Sequence, residues 1–194
     1  MDYRKDPKLK KILQGQVALP VPRSNVTEAL IWSIISQQLS VVVAKVLFER
    51  FVALFGNKFP SPAKILTVPI TKIKSIGVSQ QKAQYIHHVA QFILEHKITS
   101  RKLNKMSDEE IIDLLCQIKG VGRWTVEMVL IFGLGRKDVF AVDDLGIQKA
   151  MISIFKLHDY SKKELREKMI EISTRWSPHR TLVCLYLWNF SSSR

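Results

Sequence analysis

Apolar residues recur along this chain at intervals of three and four, the period of amphipathic helices, and almost nowhere alternate as strands do. In "TEALIWSIISQQ", Ala29, Leu30, Trp32, Ile34 and Ile35 form one broad apolar face. Ser40 then reads as the N-cap of "VVVAKVLFERFVALFG", which Gly56 ends. The β-branched run Val41–Val43 would pass for a strand, but Val46, Leu47, Phe51, Leu54 and Phe55 continue a helical face. "FPSPAKILTVP" is a turn with a short helix, and Ser79 caps a helix that turns Ile86, Val89, Ala90, Ile93 and Leu94 toward a core. Ser107 with Glu110, and Ser161 with Glu164, are Ser-x-x-Glu capping boxes opening the helices of "EEIIDLLCQIK" and "KELREKMIEISTRW". A last helix, "RTLVCLYLWNF", follows Pro178, and the tail "SSSR" is expected to fray. The pattern predicts an all-α domain spanning residues 1–194 with about ten helices in two lobes around a cleft.

One interruption stands out. Four of the eight glycines fall between Gly120 and Gly135, and "CQIKGVGRWTVEMVL" breaks a helical pattern at Gly120-Val121-Gly122 only to resume it at Arg123. Glycine tolerates positive φ and lets another molecule approach the backbone. The resuming helix offers N–H groups that lack intrahelical acceptors, with positive partial charge at that end. This hairpin, over about residues 107–133, is a candidate anion site, with Val121 packed inward and Lys119 and Arg123 flanking the anion. An ordinary helix–helix turn with a glycine C-cap is the alternative.

Charge gives the anion a class. Thirty Lys and Arg against seventeen Asp and Glu leave a formal charge of +13, which favours a polyanion such as nucleic acid. Two cysteines, Cys116 and Cys184, exclude a zinc or iron–sulfur cluster and read as buried free thiols in a reducing compartment. "MDYRKDPKLKKILQG" lacks an apolar signal core, and no apolar run reaches membrane-spanning length. The expectation is a soluble intracellular monomer with no membrane contact, in the cytoplasm or nucleoid of a bacterium or the nucleus of a eukaryote.

"IKGVGRWTVEMVL" resembles the helix-hairpin-helix of the DNA glycosylase superfamily, and "KDVFAVDDLGIQKAM" resembles the loop and aspartate that complete that signature. With "WSIISQQLS" and "RWSPHRTLVCLYLW" the resemblance runs over about residues 25 to 190. It is strongest to the alkylation-repair branch, the 3-methyladenine DNA glycosylases of the bacterial inducible and yeast type. Larger bacterial members carry an N-terminal β-rich domain with no counterpart here, so pocket residues from that domain are expected to be missing or replaced. The resemblance implies double-stranded DNA containing alkylated bases as partner and no cofactor for catalysis. It also implies a Na+ or K+ ion at the hairpin, held by the carbonyls of Gln117, Ile118 and Val121.

The family's catalytic aspartate falls on Asp144. An alkylated purine is a cationic leaving group, and a carboxylate near C1′ can stabilise the oxocarbenium-like sugar or deprotonate water. The alternative for the Asp143–Asp144 pair is helix N-capping, expected at Asp143 or shared by both. The resemblance places a base pocket at Trp124, Trp188, Met128, Gln37 and Leu145, with Trp32 and Trp176 left to the core. Met128 and Leu145 stand where some relatives have aromatics, which shifts or narrows substrate preference. Gln38 is expected to fill the gap left by the flipped nucleotide, and Lys119, Gly120, Val121, Gly122, Arg123 and Thr125 to bind the DNA backbone. His87, His88 and His179 lack metal spacing and are given structural or DNA-contact roles. The leading function is a monofunctional hydrolase of N-glycosidic bonds. Two alternatives stay open: a bifunctional glycosylase/AP lyase, and a non-catalytic helix-hairpin-helix binder.

Overall fold

A computed structural model describes residues 3–14, 17–23 and 25–192, and among these every regular element is a helix. Eleven α-helices appear among the described residues, and the chain divides into two compact units. One unit is continuous, from Pro22 to Leu134. The other is built from both ends of the chain, up to Val21 and from Gly135 onward.

The continuous unit is arranged around α1 (Val26–Ser36), whose Ala29, Leu30, Ile31, Ile34 and Ile35 are all buried. Asn25 starts it by accepting from the Thr27 and Glu28 N–H groups. Against α1 pack α2 (Val41–Ala53), α5 (Gln80–Glu95) and α8 (Arg123–Met128). Helix α8 runs on into a π-helical turn, Val129–Gly133, closed by Leu134 N–H donating to Val129 O at 2.9 Å. The short helices α3 (Pro62–Leu66) and α4 (Ile70–Lys74) pack on α5, α6 (Ser100–Leu103) follows, and α7 (Asp108–Leu115) meets α8. Ser40, Ser79 and Ser107 cap α2, α5 and α7 as their positions predict, and the Ser107–Glu110 capping box is complete.

In the unit of the two ends, α9 (Leu145–Phe155) packs against α11 (Arg180–Ser192), and α10 (Lys162–Thr174) opens with the Ser161–Glu164 box. Ser191 and Ser192 close α11, while the rest of the tail lies outside the described residues. Trp176 is fully buried, its ring 5.8 Å from Phe140 and 6.0 Å from Phe155. Its Nε1–H donates to Asp6 Oδ2 at 3.1 Å, and Arg175 Nε reaches the same oxygen at 3.0 Å. A buried carboxylate tolerates desolvation only with such donors.

Several placements differ from the pattern. Cys116 is exposed, because the buried stripe of α7 and its exit is Ile111, Ile112, Leu115 and Ile118, and Cys116 lies off it. Leu94 and Val46 are each 42% exposed at the edges of their helices' apolar faces. Trp32 is half-buried and roofed by a cation: the Arg23 guanidinium lies 4.6 Å from its ring centroid.

Trp176→Phe removes the indole donor from the buried Asp6 carboxylate and leaves a small cavity. It is expected to lower the unfolding free energy by about 2 kcal/mol or more, read from urea denaturation.

Candidate functional site

The hairpin between α7 and α8 uses its two glycines for different reasons. Gly120 has φ +97, and a Cβ there would run into the Tyr85 ring, so both backbone conformation and packing require glycine. Gly122 has an extended φ of −101, and a Cβ there would meet nothing within 4 Å, yet it is the N-cap of α8 and offers no side chain to cap it. Nothing among the described residues demands glycine at 122. What bare backbone leaves there is room for a visitor at the first-turn N–H groups.

The side chains around the turn sort unevenly. Val121 is buried, 5% exposed, and its N–H donates to Ile118 O at 2.9 Å. Lys119 is exposed, and its carbonyl lies 3.3 Å from His88 Nδ1. Arg123 is engaged within the protein: Nη2 and Nη1 meet Glu109 at 2.8 and 3.2 Å, and Nε meets Glu127 at 3.2 Å. The hydrogen bond from Arg123 holds the Glu109 carboxyl below its ordinary range, and the same bond raises the guanidinium's pKa. Thr125, expected at the DNA, is 1% exposed, and its hydroxyl accepts from Gln37 Nε2 at 3.1 Å. Its side chain therefore ties α8 to the end of α1 and faces inward; only its backbone remains for a phosphate. Trp124 is half-buried and Met128 is 8% exposed.

Gln37 thus meets the hairpin through Thr125, while Gln38 takes the opposite course. It is exposed, with φ +58, a left-handed conformation that costs a non-glycine residue energy. Beyond it Leu39, Val41, Val42 and Val43 are 38%, 77%, 74% and 45% exposed, an apolar shoulder that amphipathic periodicity does not anticipate.

The carbonyls implied for a hairpin cation are hard oxygen donors, the type that suits Na+ or K+. Gln117, Ile118 and Val121 would supply them. Ile118 O keeps a second lone pair beyond the bond it accepts from Val121.

In the unit of the two ends, Asp144 is the N-cap of α9. Its Oδ1 accepts from Ile147 N–H at 3.0 Å and from Trp188 Nε1–H at 2.8 Å. Capping therefore belongs to Asp144, and the expectation that it fell on Asp143 or was shared is corrected: Asp143 pairs instead with Arg166 Nε at 3.1 Å. Capping and chemistry are compatible, since two donors on one oxygen fix the carboxylate's orientation.

The loop leading to Asp144 is stitched to α11. Asp138 takes a two-pronged contact from Arg180, Nε at 2.8 Å and Nη2 at 2.9 Å, and accepts from Ser177 at 2.8 Å. Burial alone would raise the Asp138 pKa, but these hydrogen bonds outweigh it and hold the carboxyl low. The Thr181 hydroxyl accepts from Val139 N–H at 3.0 Å and donates to Arg136 O at 2.7 Å, and Cys184 Sγ lies 3.6 Å from Val139 O. Thr181, Cys184 and Trp188 share one face of α11, so the stripe that anchors the loop also delivers the indole.

Gly146 is the residue that sequence reasoning missed. A Cβ there would lie 3.1 Å from Asp144 Oδ1 and 3.2 Å from Trp188 Cδ1, so a side chain at 146 would crowd the hydrogen-bonded pair. Leu145, beside it, is 69% exposed.

Comparison with known proteins gives this geometry a family. Residues 31–175 match the model described as HhH-GPD superfamily base excision DNA repair protein. The DNA-3-methyladenine glycosylase 1 of Schizosaccharomyces pombe is 37% identical over 166 residues, covering 84% of this chain and 72% of the relative. The structure of the 3-methyladenine DNA glycosylase Mag1 of that yeast, in complex with abasic-DNA, superposes with a TM-score of 0.87 at 30% identity, covering 97% of this chain and 93% of that one. A DNA-3-methyladenine glycosidase from Bacillus halodurans gives a TM-score of 0.81 at 31% identity, covering 97% and 86%.

The two hairpin glycines separate by stability. Gly120→Ala meets both the positive φ and the Tyr85 ring and is expected to cost about 2 kcal/mol or more in urea unfolding. Gly122→Ala is expected to cost about 1 kcal/mol or less, the difference between glycine and alanine at an N-cap.

Proposed function

The chain belongs to the HhH-GPD superfamily of base excision DNA repair proteins, and we propose that it is a monofunctional DNA N-glycosylase that excises alkylated purines of the 3-methyladenine or 7-methylguanine type. The observation that carries the reading is the Asp144 carboxylate, pinned by the α9 backbone and the Trp188 indole. The substrate is double-stranded DNA, engaged by a monomer inside the cell. Among the described residues no helix is long and apolar enough to cross a membrane.

Alkylation at N3 or N7 makes the purine cationic. When the glycosidic bond breaks, its electron pair leaves with the base, which departs neutral, and positive charge builds on C1′ and the ring oxygen. Asp144 stabilises that charge and orients or deprotonates the water that adds to C1′. Because the sugar cation exists fully only in the transition state, a fixed carboxylate lowers the barrier more than it tightens ground-state binding.

The grip on DNA falls to the hairpin. Backbone N–H groups beside Gly122 receive a phosphate, and exposed Lys119 adds charge nearby. Arg123 contributes by leaving Glu109 for the phosphate, an exchange of one anion for another. Gln38, exposed and turned outward, fills the gap left by the extruded nucleotide, with Leu39 and the valines of the apolar shoulder against the duplex. Trp124 is proposed as a stacking surface for the base, and Trp188 combines a pocket wall with its hydrogen bond to Asp144.

Lyase chemistry needs a primary amine positioned at the sugar aldehyde. The residue after Arg123 is Trp124, whose indole nitrogen forms no Schiff base, and Lys119 precedes the turn. The product is therefore an abasic site in an intact strand.

Asp144→Asn is the direct test. Asparagine caps helices as well as aspartate and can accept from both donors, so the fold stays while the charge goes. Release of free base from alkylated DNA is expected to fall by about a hundredfold or more with binding retained. Near-normal release by the folded variant would move the chemistry elsewhere. Borohydride added during wild-type turnover is expected to trap no covalent protein–DNA adduct, and a trapped adduct lost in Lys119→Ala would establish the lyase alternative.

A further inference from the structure

Helix α5 presents Lys82, Tyr85 and His88 at three-residue spacing, and each reaches the backbone of a turn assigned above to DNA contact. Lys82 Nζ donates to Ile35 O at 2.8 Å and to Gln37 O at 2.7 Å. Tyr85 packs under Gly120, and His88 Nδ1 meets the carbonyl of Lys119. One side of one helix therefore braces both the elbow carrying Gln38 and the turn of the hairpin.

The Lys82 contact is the unusual member. The last carbonyls of a helix have no intrahelical donors and carry negative partial charge. At the end of α1 two carbonyls receive an ammonium delivered from a helix 45 residues further along the chain. Burial pushes the Lys82 pKa below the ordinary lysine value. No carboxylate is needed to account for the contact; the carbonyl dipoles are its partners. Immediately after the clamped Gln37, the chain enters the left-handed conformation of Gln38, a region few non-glycine residues adopt and one that costs a glutamine energy.

We propose that Lys82 is a positioning residue for base extrusion: by clamping the carbonyls of Ile35 and Gln37 it holds Gln38 outward as a preformed wedge. The inference rests on the glycosylase reading and on Gln38 as the gap-filling residue. It gives the lysine a role beyond stability, because a wedge ordered in advance is not ordered at the cost of binding energy when DNA arrives.

The test is a double-mutant cycle on the full chain. Wild type, Gln38→Ala, Lys82→Met and the double variant are compared at saturating enzyme on a duplex with a single 7-methylguanine, measuring single-turnover base release. Extrusion is followed separately by the fluorescence of a 2-aminopurine beside a 2′-fluoro 7-methylguanine, whose fluorine disfavours the sugar cation and blocks cleavage. Each single variant is expected to slow both readouts by about tenfold at saturating enzyme, a larger loss than any fall in its abasic-DNA affinity, with the fold retained at the assay temperature by thermal melting. The double variant is expected to be no more than about twofold slower than the slower single one, because both substitutions remove the same wedge.

Losses that multiply, or a Lys82→Met protein that extrudes the lesion at the wild-type rate, would overturn the proposal. If Lys82→Met does not fold, Lys82→Gln, which keeps an N–H donor on a shorter stem, goes through the same cycle with the same criteria. Failure of the glycosylase reading looks different: the wild type itself would neither extrude nor release the lesion, and this inference would fall with it.

Discussion

A single carboxylate oxygen sets the most demanding constraint in this protein. Asp144 Oδ1 accepts at once from the first turn of α9 and from the indole of α11, at 3.0 and 2.8 Å. Both donors reach it only if the two helices pack in one register and the loop before Asp144 ends in one place. The Arg180–Asp138 contact, the Thr181 hydroxyl and the buried Cys184 set that loop along the face of α11 that ends in Trp188. Gly146 keeps a side chain from crowding the indole and the carboxylate. The same atoms thus start a helix and present a charge, which is why asparagine can separate the two roles.

The hairpin follows a different economy of contacts. Gly120 lies against its neighbour Tyr85, and Val121 is buried, so one side of the turn is packed into the protein. Gly122 leaves open backbone, and Arg123 waits on Glu109 and Glu127. A net charge of +13 draws a polyanion to the surface generally. On the proposed reading the hairpin supplies what net charge lacks, a place where backbone N–H groups meet one phosphate.

What could be read in the sequence was local. Serine caps, both capping boxes and the glycine interruption depend on residues within four positions of one another, and the structure has them where the pattern puts them. The superfamily was legible for the same reason, since its signature is a short hairpin and a nearby aspartate. The hydrogen bonds that shape the candidate site are not local. Trp188 reaches Asp144 across 44 residues, Lys82 reaches Gln37 across 45, and Gln37 reaches Thr125 across 88. Periodicity also locates an apolar face without saying how wide its buried part is. Hence Leu94, Val46 and Cys116 proved exposed, and Trp32 lies under Arg23 with its ring half-covered. For the Asp143–Asp144 pair the sequence pointed to a cap at Asp143 or shared by both, and only the neighbours in space, Arg166 for Asp143 and the Ile147 N–H and Trp188 for Asp144, told the two apart.

The central claim is electrostatic: the Asp144 charge is held ready for a cation at C1′. The most direct measurement compares the affinities of wild type and Asp144→Asn for two duplexes that differ only at one position, a cationic pyrrolidine abasic analogue in one and neutral tetrahydrofuran in the other. The account predicts that wild type prefers the cationic analogue by about a hundredfold and that the asparagine variant loses the preference while binding the neutral duplex as before. An equal preference in both proteins would contradict it.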